Sequence, residues 1–131
     1  MANDLPGLGL KVLVVDDDEP VLEVLADMVA SLGAEVATAT SVSEARLVLE
    51  LFDPSLVMTD VYMPGENGLV MRALMRHRNP DVPVIALTGG RDADMPLDAG
   101  FVFRLRKPLL LETLRAVLAD VAIVTAKPAV A

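Results

Sequence analysis

The stretch that most constrains the fold runs from Leu56 to Gly65. Its first four residues are three apolar side chains and a threonine, and they lead directly into the carboxylate of Asp60, before a Pro64-Gly65 pair breaks the chain. An apolar run of this length, bounded by turn residues, is typical of a strand that is buried on both faces. Open parallel sheets place their ligand crevice at the carboxyl ends of such strands. The stretch therefore predicts a central strand that carries Asp60 at the functional edge of a sheet.

The rest of the chain alternates between strand and helix signals. Apolar runs predict five strands, and three- to four-residue apolar spacing or capping residues predict five helices. The strands are expected at residues 11–15, 36–40, 56–60, 82–87 and 101–105, and the helices at residues 20–32, 41–52, 68–77, 91–99 and 109–123. Such alternation predicts an α/β fold, with a parallel sheet and helices on both of its faces.

Length and charge limit the classes of protein that this chain can represent. Its 131 residues suffice for one domain. A net charge of -8 argues against unaided binding to nucleic acid or to an anionic membrane surface. The absence of cysteine excludes disulfides and thiolate metal sites, and no apolar run reaches the length of a membrane span. We expect a cytoplasmic domain at residues 10–123, with a short leader at 1–9 and a flexible tail at 124–131.

Polar residues follow four of the predicted strands. Because the carboxyl ends of parallel strands share one edge, Asp16, Asp17, Asp60, Thr88 and Lys107 are expected to lie together. Two like charges about 4 Å apart repel by roughly 4 kcal/mol at an effective dielectric of about 20, and one ammonium cannot offset three carboxylates. A partly hydrated Mg²⁺ ion suits this set of oxygen ligands. Asp60 would serve as a phosphoryl acceptor, since carboxylates form aspartyl phosphates, while the threonine and lysine contact phosphoryl oxygens.

These residues resemble the receiver domain of bacterial two-component response regulators. The resemblance covers residues 10–123 and rests on ordered pieces in a strand–helix alternation, namely VLVVDDDE (12–19), TDVYMPG (59–65), ALTGG (86–90) and RKP (106–108). It implies a flavodoxin-like (βα)5 doubly wound five-stranded sheet with strand order 2-1-3-4-5.

The resemblance also implies a signalling cycle. Asp60 would receive phosphate from a partner histidine kinase or histidine phosphotransfer protein, and Mg²⁺ would be bound by Asp16, Asp17, Asp60 and the Tyr62 backbone carbonyl. Thr88 and Lys107 would contact the phosphate. Phosphorylation would alter the surface formed by the fourth helix, fifth strand and fifth helix, which would bind a downstream protein and not nucleic acid. Such a domain catalyses only its own phosphoryl transfer and dephosphorylation.

The sequence departs from the family pattern at three places. Arg104 occupies the position, three before the lysine, that is usually aromatic, and Phe103 lies beside it. Pro96 falls inside the predicted fourth helix. Leucines at 109–111 open the last helix, where a polar N-cap is expected. We therefore expect a more apolar output surface and an altered switch.

Several other polar residues have simpler interpretations. Asp18 and Glu19 are suited to cap the first helix and to complement its dipole. His77, between two arginines near a helix end, is expected to be solvated. Tyr62 and Gly90, which lie two residues after Asp60 and Thr88, would influence the access of water to an acyl phosphate.

Two alternative functions compete with a phosphoacceptor. A haloacid-dehalogenase-like phosphatase would use Asp16 as its nucleophile, and Asp16 and Asp18 have the required spacing, but Pro20 stands where threonine or valine is expected. A degenerate receiver would be a protein-interaction module that never turns over phosphate, an alternative that Arg104 keeps open.

Overall fold

Five strands and four helices alternate along the part of the chain that the computed structural model describes, which is residues 5–89 and 101–125. The strands are β1 (Lys11–Val15), β2 (Glu35–Ala39), β3 (Leu56–Asp60), β4 (Val84–Thr88) and β5 (Phe103–Arg106). The helices are α1 (Glu19–Ser31), α2 (Val42–Val48), α3 (Gly68–Arg78) and α4 (Leu111–Thr125). The helix predicted at 91–99, together with Pro96 and Gly90, lies outside the described residues.

All four strand pairings are parallel, and the strands lie in the order β2-β1-β3-β4-β5. This is the predicted flavodoxin-like order, so the fold-class prediction is confirmed. The register aligns Val15 with Thr59 and Asp60 with Leu87, which brings the carboxyl ends of β1, β3 and β4 to one edge. Every residue of β3 and β4 is buried, because helices cover both faces of the sheet.

Alternate residues of each strand contribute to two separate hydrophobic layers. One layer packs β1 residues Val12 and Val14 against α1 and α4. The other packs Leu13 and Val15 against α2 and α3. Met58 and Ile85 belong to the first layer, so neighbouring strands share the same alternation. The central strands are therefore held from both sides, and the residues at their ends have fixed positions.

Capping residues set the helix ends near the functional edge. The Asp18 side chain is the N-cap of α1, as predicted, and accepts a hydrogen bond from the Val21 N–H at 3.3 Å. Ser41 caps α2 by accepting from the Glu44 N–H at 3.0 Å. The Glu44 carboxylate reaches back to the Thr40 N–H at 2.8 Å, one residue beyond the usual partner in a capping box.

Most element boundaries differ from the sequence prediction by one or two residues, and the end of α2 differs by four. Helix α2 ends at Val48 and not near residue 52, and the chain turns with Arg78 donating a hydrogen bond to the Leu49 carbonyl. Strand β5 begins at Phe103 and not at Phe101, because Phe101 packs into the core before the ladder with β4 begins. Helix α4 extends to Thr125, two residues into the segment predicted as a tail.

Helix α4 buries four of the five residues predicted for its apolar stripe, whereas the fifth, Leu110, precedes the helix and is exposed. Leu114, Val117, Leu118 and Val121 are buried against the sheet. Leu110 is 67% exposed, so the leucine-rich start of this helix presents apolar surface to solvent. Among the described residues, no helix combines the length and the apolar content that crossing a membrane requires.

Candidate functional site

Three aspartates converge at the carboxyl edge of the sheet. Asp16 directly follows β1, Asp17 comes next in the chain, and Asp60 is the last residue of β3. One carboxylate oxygen from each lies within 4.8 Å of the others. Asp16 is fully buried and Asp60 is 7% exposed, whereas the Asp17 side chain is exposed to solvent. This arrangement offers hard oxygen ligands to a metal ion that approaches from the solvent side.

Lys107 is placed between two of these carboxylates. Its Nζ lies 3.1 Å from Asp16 Oδ2 and 3.3 Å from Asp60 Oδ2. The backbone N–H of Lys107 donates to the Thr88 carbonyl at 2.8 Å, which fixes the start of the segment after β5. Burial lowers the pKa of Lys107, but the hydrogen bond and charge of Asp16, together with the charge of Asp60, outweigh this effect and raise it. The lysine therefore remains an ammonium at neutral pH.

The pKa of the Asp60 carboxyl is shifted by its burial and by the charged groups around it. Burial raises the pKa of its carboxyl from 3.8 to about 6. The positive charge of Lys107 lowers that pKa, and the negative charges of Asp16 and Asp17 raise it again. Three carboxylates and one ammonium thus meet at the site, which leaves an excess of negative charge. A divalent cation with oxygen ligands would supply the missing positive charge, so the residues fit Mg²⁺.

Asp16 is oriented through both of its carboxylate oxygens. Oδ1 accepts a hydrogen bond from the Asp18 N–H at 3.0 Å, and Oδ2 contacts the Lys107 ammonium. A fully buried carboxylate with both oxygens engaged is poorly placed to attack a substrate. The phosphatase alternative, which requires Asp16 as the nucleophile, is therefore not favoured.

Thr88 and Tyr62 complete the set of predicted site residues. Thr88 ends β4, is buried, and donates its hydroxyl to the Leu105 carbonyl at 3.4 Å. Tyr62 follows β3, and its side chain is 62% exposed. The structure thus places the three aspartates and Lys107 next to one another. Thr88 is connected to this group by the hydrogen bond between its carbonyl and the Lys107 N–H.

Gly68 is a positioning residue that the sequence analysis did not identify. A Cβ atom at this position would lie 2.5 Å from the Asp60 carbonyl oxygen and 2.8 Å from the Val61 Cα. The Gly68 N–H donates to the Val61 carbonyl at 2.8 Å. Helix α3 can therefore approach the end of β3 only because residue 68 has no side chain. The available signal was a glycine directly after Asn67, the N-cap of the helix.

The family is shown by a match that covers most of the chain. The family model described as the response regulator receiver domain matches residues 12–119, and the chain belongs to this family. It is thus a receiver domain of two-component response regulators, a signalling module. The sequence-based family prediction is confirmed.

Curated relatives are similar over most of this chain. The photosynthetic apparatus regulatory protein RegA of Cereibacter sphaeroides is 36% identical over 92 residues, covering 68% of this chain and 50% of the relative. The probable C4-dicarboxylate response regulator DctR of Bacillus subtilis is 34% identical over 113 residues, covering 82% of this chain and 50% of the relative. The chain therefore spans about half the length of these relatives.

Solved structures confirm the fold. The crystal structure of a response regulator receiver domain protein from Clostridium thermocellum superposes with a TM-score of 0.81 at 29% identity, covering 89% of this chain and 97% of that one. A putative response regulator from Chloroflexus aurantiacus gives a TM-score of 0.77 at 27% identity, covering 86% and 97% of the two chains.

Proposed function

We propose that Asp60 accepts a phosphoryl group from a phosphohistidine of a histidine kinase or of a histidine phosphotransfer protein. The observation that carries this proposal is the position of Asp60 at the end of the central strand. There its side chain, 10% exposed, contacts the Lys107 ammonium beside two further carboxylates. Asp16 is closed off by its own contacts, so Asp60 is the better placed nucleophile of the buried pair.

The transfer itself is a substitution at phosphorus. An oxygen lone pair of the ionised Asp60 carboxylate forms the new O–P bond, and the P–N bond of the phosphohistidine breaks. The electron pair of that bond remains on the imidazole nitrogen, and a proton that is already on the other ring nitrogen, or is taken from water, makes the leaving histidine neutral beside the new aspartyl phosphate. The protein contributes mainly position and charge, because phosphoryl transfer needs little further covalent assistance.

Asp16, Asp17, Asp60 and the Tyr62 carbonyl are the groups that we propose hold Mg²⁺. Bound there, the ion would neutralise charge on the phosphoryl oxygens. The Lys107 ammonium, which contacts the carboxylates of Asp16 and Asp60, would then also contact a phosphoryl oxygen. The Thr88 hydroxyl donates to the Leu105 carbonyl at 3.4 Å. On phosphorylation it would donate to a second phosphoryl oxygen instead.

The Leu105 carbonyl, which accepts from the Thr88 hydroxyl, lies on β5. We propose that loss of this hydrogen bond on phosphorylation transmits the change from the site to β5. Strand β5 contains Arg104, at the position of the usual switch residue, and lies at the edge of the sheet. The changed surface would then bind a downstream protein and would not itself bind nucleic acid. Within this proposal residues 10–123 contain the functional unit, which acts in the cytoplasm where the phosphodonor is made.

Acetyl phosphate with Mg²⁺ tests the proposal directly. The intact mass of the wild type is expected to increase by one phosphoryl group, and that of Asp60→Asn to stay unchanged. Asp81→Asn, which removes an exposed carboxylate outside the site, is the matched control and should be phosphorylated like the wild type. Phosphorylation of Asp60→Asn, or an unmodified wild type that binds Mg²⁺, would overturn the assignment.

A further inference from the structure

The segment between β3 and α3, residues 61–67, carries Tyr62 between two buried residues, Val61 and Met63, which belong to the hydrophobic layer that contacts α2 and α3. The Val61 N–H donates to the Leu87 carbonyl at 3.3 Å, and the Asn67 side chain caps α3. Between them Pro64 and Gly65 are exposed. The exposed turn that follows Met63 is thus the part of the segment with the fewest contacts, and a restraint on its far end would help to keep the Tyr62 carbonyl in one position.

An ion pair with α2 supplies such a restraint. Arg46 Nη1 lies 2.9 Å from Glu66 Oε1, and Arg46 Nη2 lies 3.2 Å from Glu66 Oε2. This is the two-point geometry in which the planar guanidinium matches a carboxylate. Arg46 itself sits on a helix that is anchored by buried Val42 and Ala45. The pair thus connects a packed helix to the segment that follows the acceptor strand.

We propose that Arg46 is a positioning residue that holds the 61–67 segment in its metal-binding conformation through Glu66. The inference rests on the proposed function, because it assumes Mg²⁺ bound by the aspartates and the Tyr62 carbonyl. Both side chains of the pair are partly exposed, 47% and 39%, so solvent and salt weaken the interaction. A two- to fivefold weaker binding of Mg²⁺ is expected without it, which corresponds to about 0.4–1 kcal/mol.

Whether Arg46→Ala raises or lowers the Kd for Mg²⁺ distinguishes a positioning role from a purely electrostatic one. Arg46→Ala removes a positive charge from a protein of net charge -8, and Coulomb attraction alone would then tighten the binding of Mg²⁺. Loss of the restraint weakens it instead. Arg46→Lys keeps the charge but loses the two-point geometry, and it should give an intermediate Kd. Arg76→Ala, an exposed position on α3, is the charge-matched control and should bind Mg²⁺ as tightly as the wild type or slightly more tightly.

Titration of Mg²⁺ into the phosphate-free protein provides the measurement. Tyr62 is the single tyrosine and the chain has no tryptophan, so tyrosine fluorescence reports on this segment, and calorimetry gives the same Kd independently. A double-mutant cycle of Arg46→Ala and Glu66→Gln should show coupling in Kd that decreases at high salt. An unchanged or tighter Kd for Arg46→Ala would overturn the inference alone. A wild type that binds no Mg²⁺ by either method would overturn the proposed function as well.

Discussion

At the scale of single residues, the pocket places more negative charge in one place than its cation compensates. Asp60 is in addition buried, and burial, opposed by Lys107 and assisted by Asp16 and Asp17, raises the pKa of its carboxyl to about 6. The ionised Asp60 carboxylate therefore lowers the stability of the fold when neither a metal ion nor a phosphoryl group is bound. Functional sites commonly carry such a cost in stability.

The first prediction concerns the stability of the metal-free protein. Asp60→Asn removes the buried charge and should stabilise the fold by about 2–3 kcal/mol at pH 7, since one pKa unit corresponds to about 1.4 kcal/mol. Urea unfolding in EDTA measures this difference. Asp81→Asn, at an exposed site, should change stability by less than about 0.5 kcal/mol. A destabilised Asp60→Asn would show that the ion pair with Lys107 outweighs the cost of burial.

The same pKa predicts a dependence on pH. Because the pKa of Asp60 is higher in the folded state than its usual 3.8, the folded state binds more protons between about pH 4 and 6. The contribution of Asp60 to stability is therefore lost as the pH rises through this window. The difference in free energy of unfolding between Asp60→Asn and the wild type should be close to zero near pH 4 and reach its full value above pH 7. A difference that does not vary with pH would contradict this assignment.

Asp17 differs from its neighbours because it is exposed. Asp17→Asn relieves repulsion in the cluster and should stabilise the metal-free fold slightly, by less than about 1 kcal/mol, while it weakens Mg²⁺ binding. Thermal melting in EDTA and in Mg²⁺ separates the two effects. A lower melting temperature than the wild type in EDTA would count against repulsion as the cause.

At the scale of elements, the contact between β3 and α3 fixes the position of the acceptor. The Gly68 backbone packs directly on Asp60 and Val61, so the helix start and the strand end form one unit. Residues 61–67 close the loop between these two fixed points. The geometry of the site thus depends on backbone packing as well as on the carboxylates.

Gly68→Ala tests this contact. The new Cβ would overlap with the Asp60 carbonyl oxygen, and overpacking of this kind costs about 1–3 kcal/mol. Because the overlap displaces the acceptor strand, the Kd for Mg²⁺ should also increase. Ala73→Ser, on the exposed face of the same helix, is the control and should leave both quantities nearly unchanged. Wild-type stability in Gly68→Ala would show that the helix can move without cost.

At the scale of the whole molecule, the fold was predictable because its signals are local and repeated. The buried strands β3 and β4 and the Asp18 and Ser41 caps could all be inferred from the chain. The convergence of the aspartates and Lys107 followed from parallel topology alone.

Other features depend on contacts between distant residues, which no local pattern encodes. The start of β5 is decided by the register against β4, and the end of α2 is accompanied by a hydrogen bond from Arg78. The Gly68 contact and the Arg46–Glu66 pair likewise join separate elements. Sequence reasoning placed the functional side chains but could not identify the groups that position them.

Binding of Mg²⁺ should stabilise the whole domain, since the ion binds only the folded state. At a concentration ten times the Kd, linkage predicts a gain of about 1.4 kcal/mol, which EDTA reverses. Thermal melting at several Mg²⁺ concentrations measures this gain. Asp60→Asn should show a much smaller dependence on Mg²⁺. An equal gain in that variant would place the ion elsewhere on the surface.

Asp16 and Lys107, which form the 3.1 Å ion pair at the centre of the pocket, are 91 positions apart in the chain. A shortened or partly synthesised chain that lacks one of these two regions still contains Asp60 but has lost one member of this ion pair. Under the proposed function, competence to be phosphorylated would thus belong to the folded domain as a whole and not to the segment around Asp60.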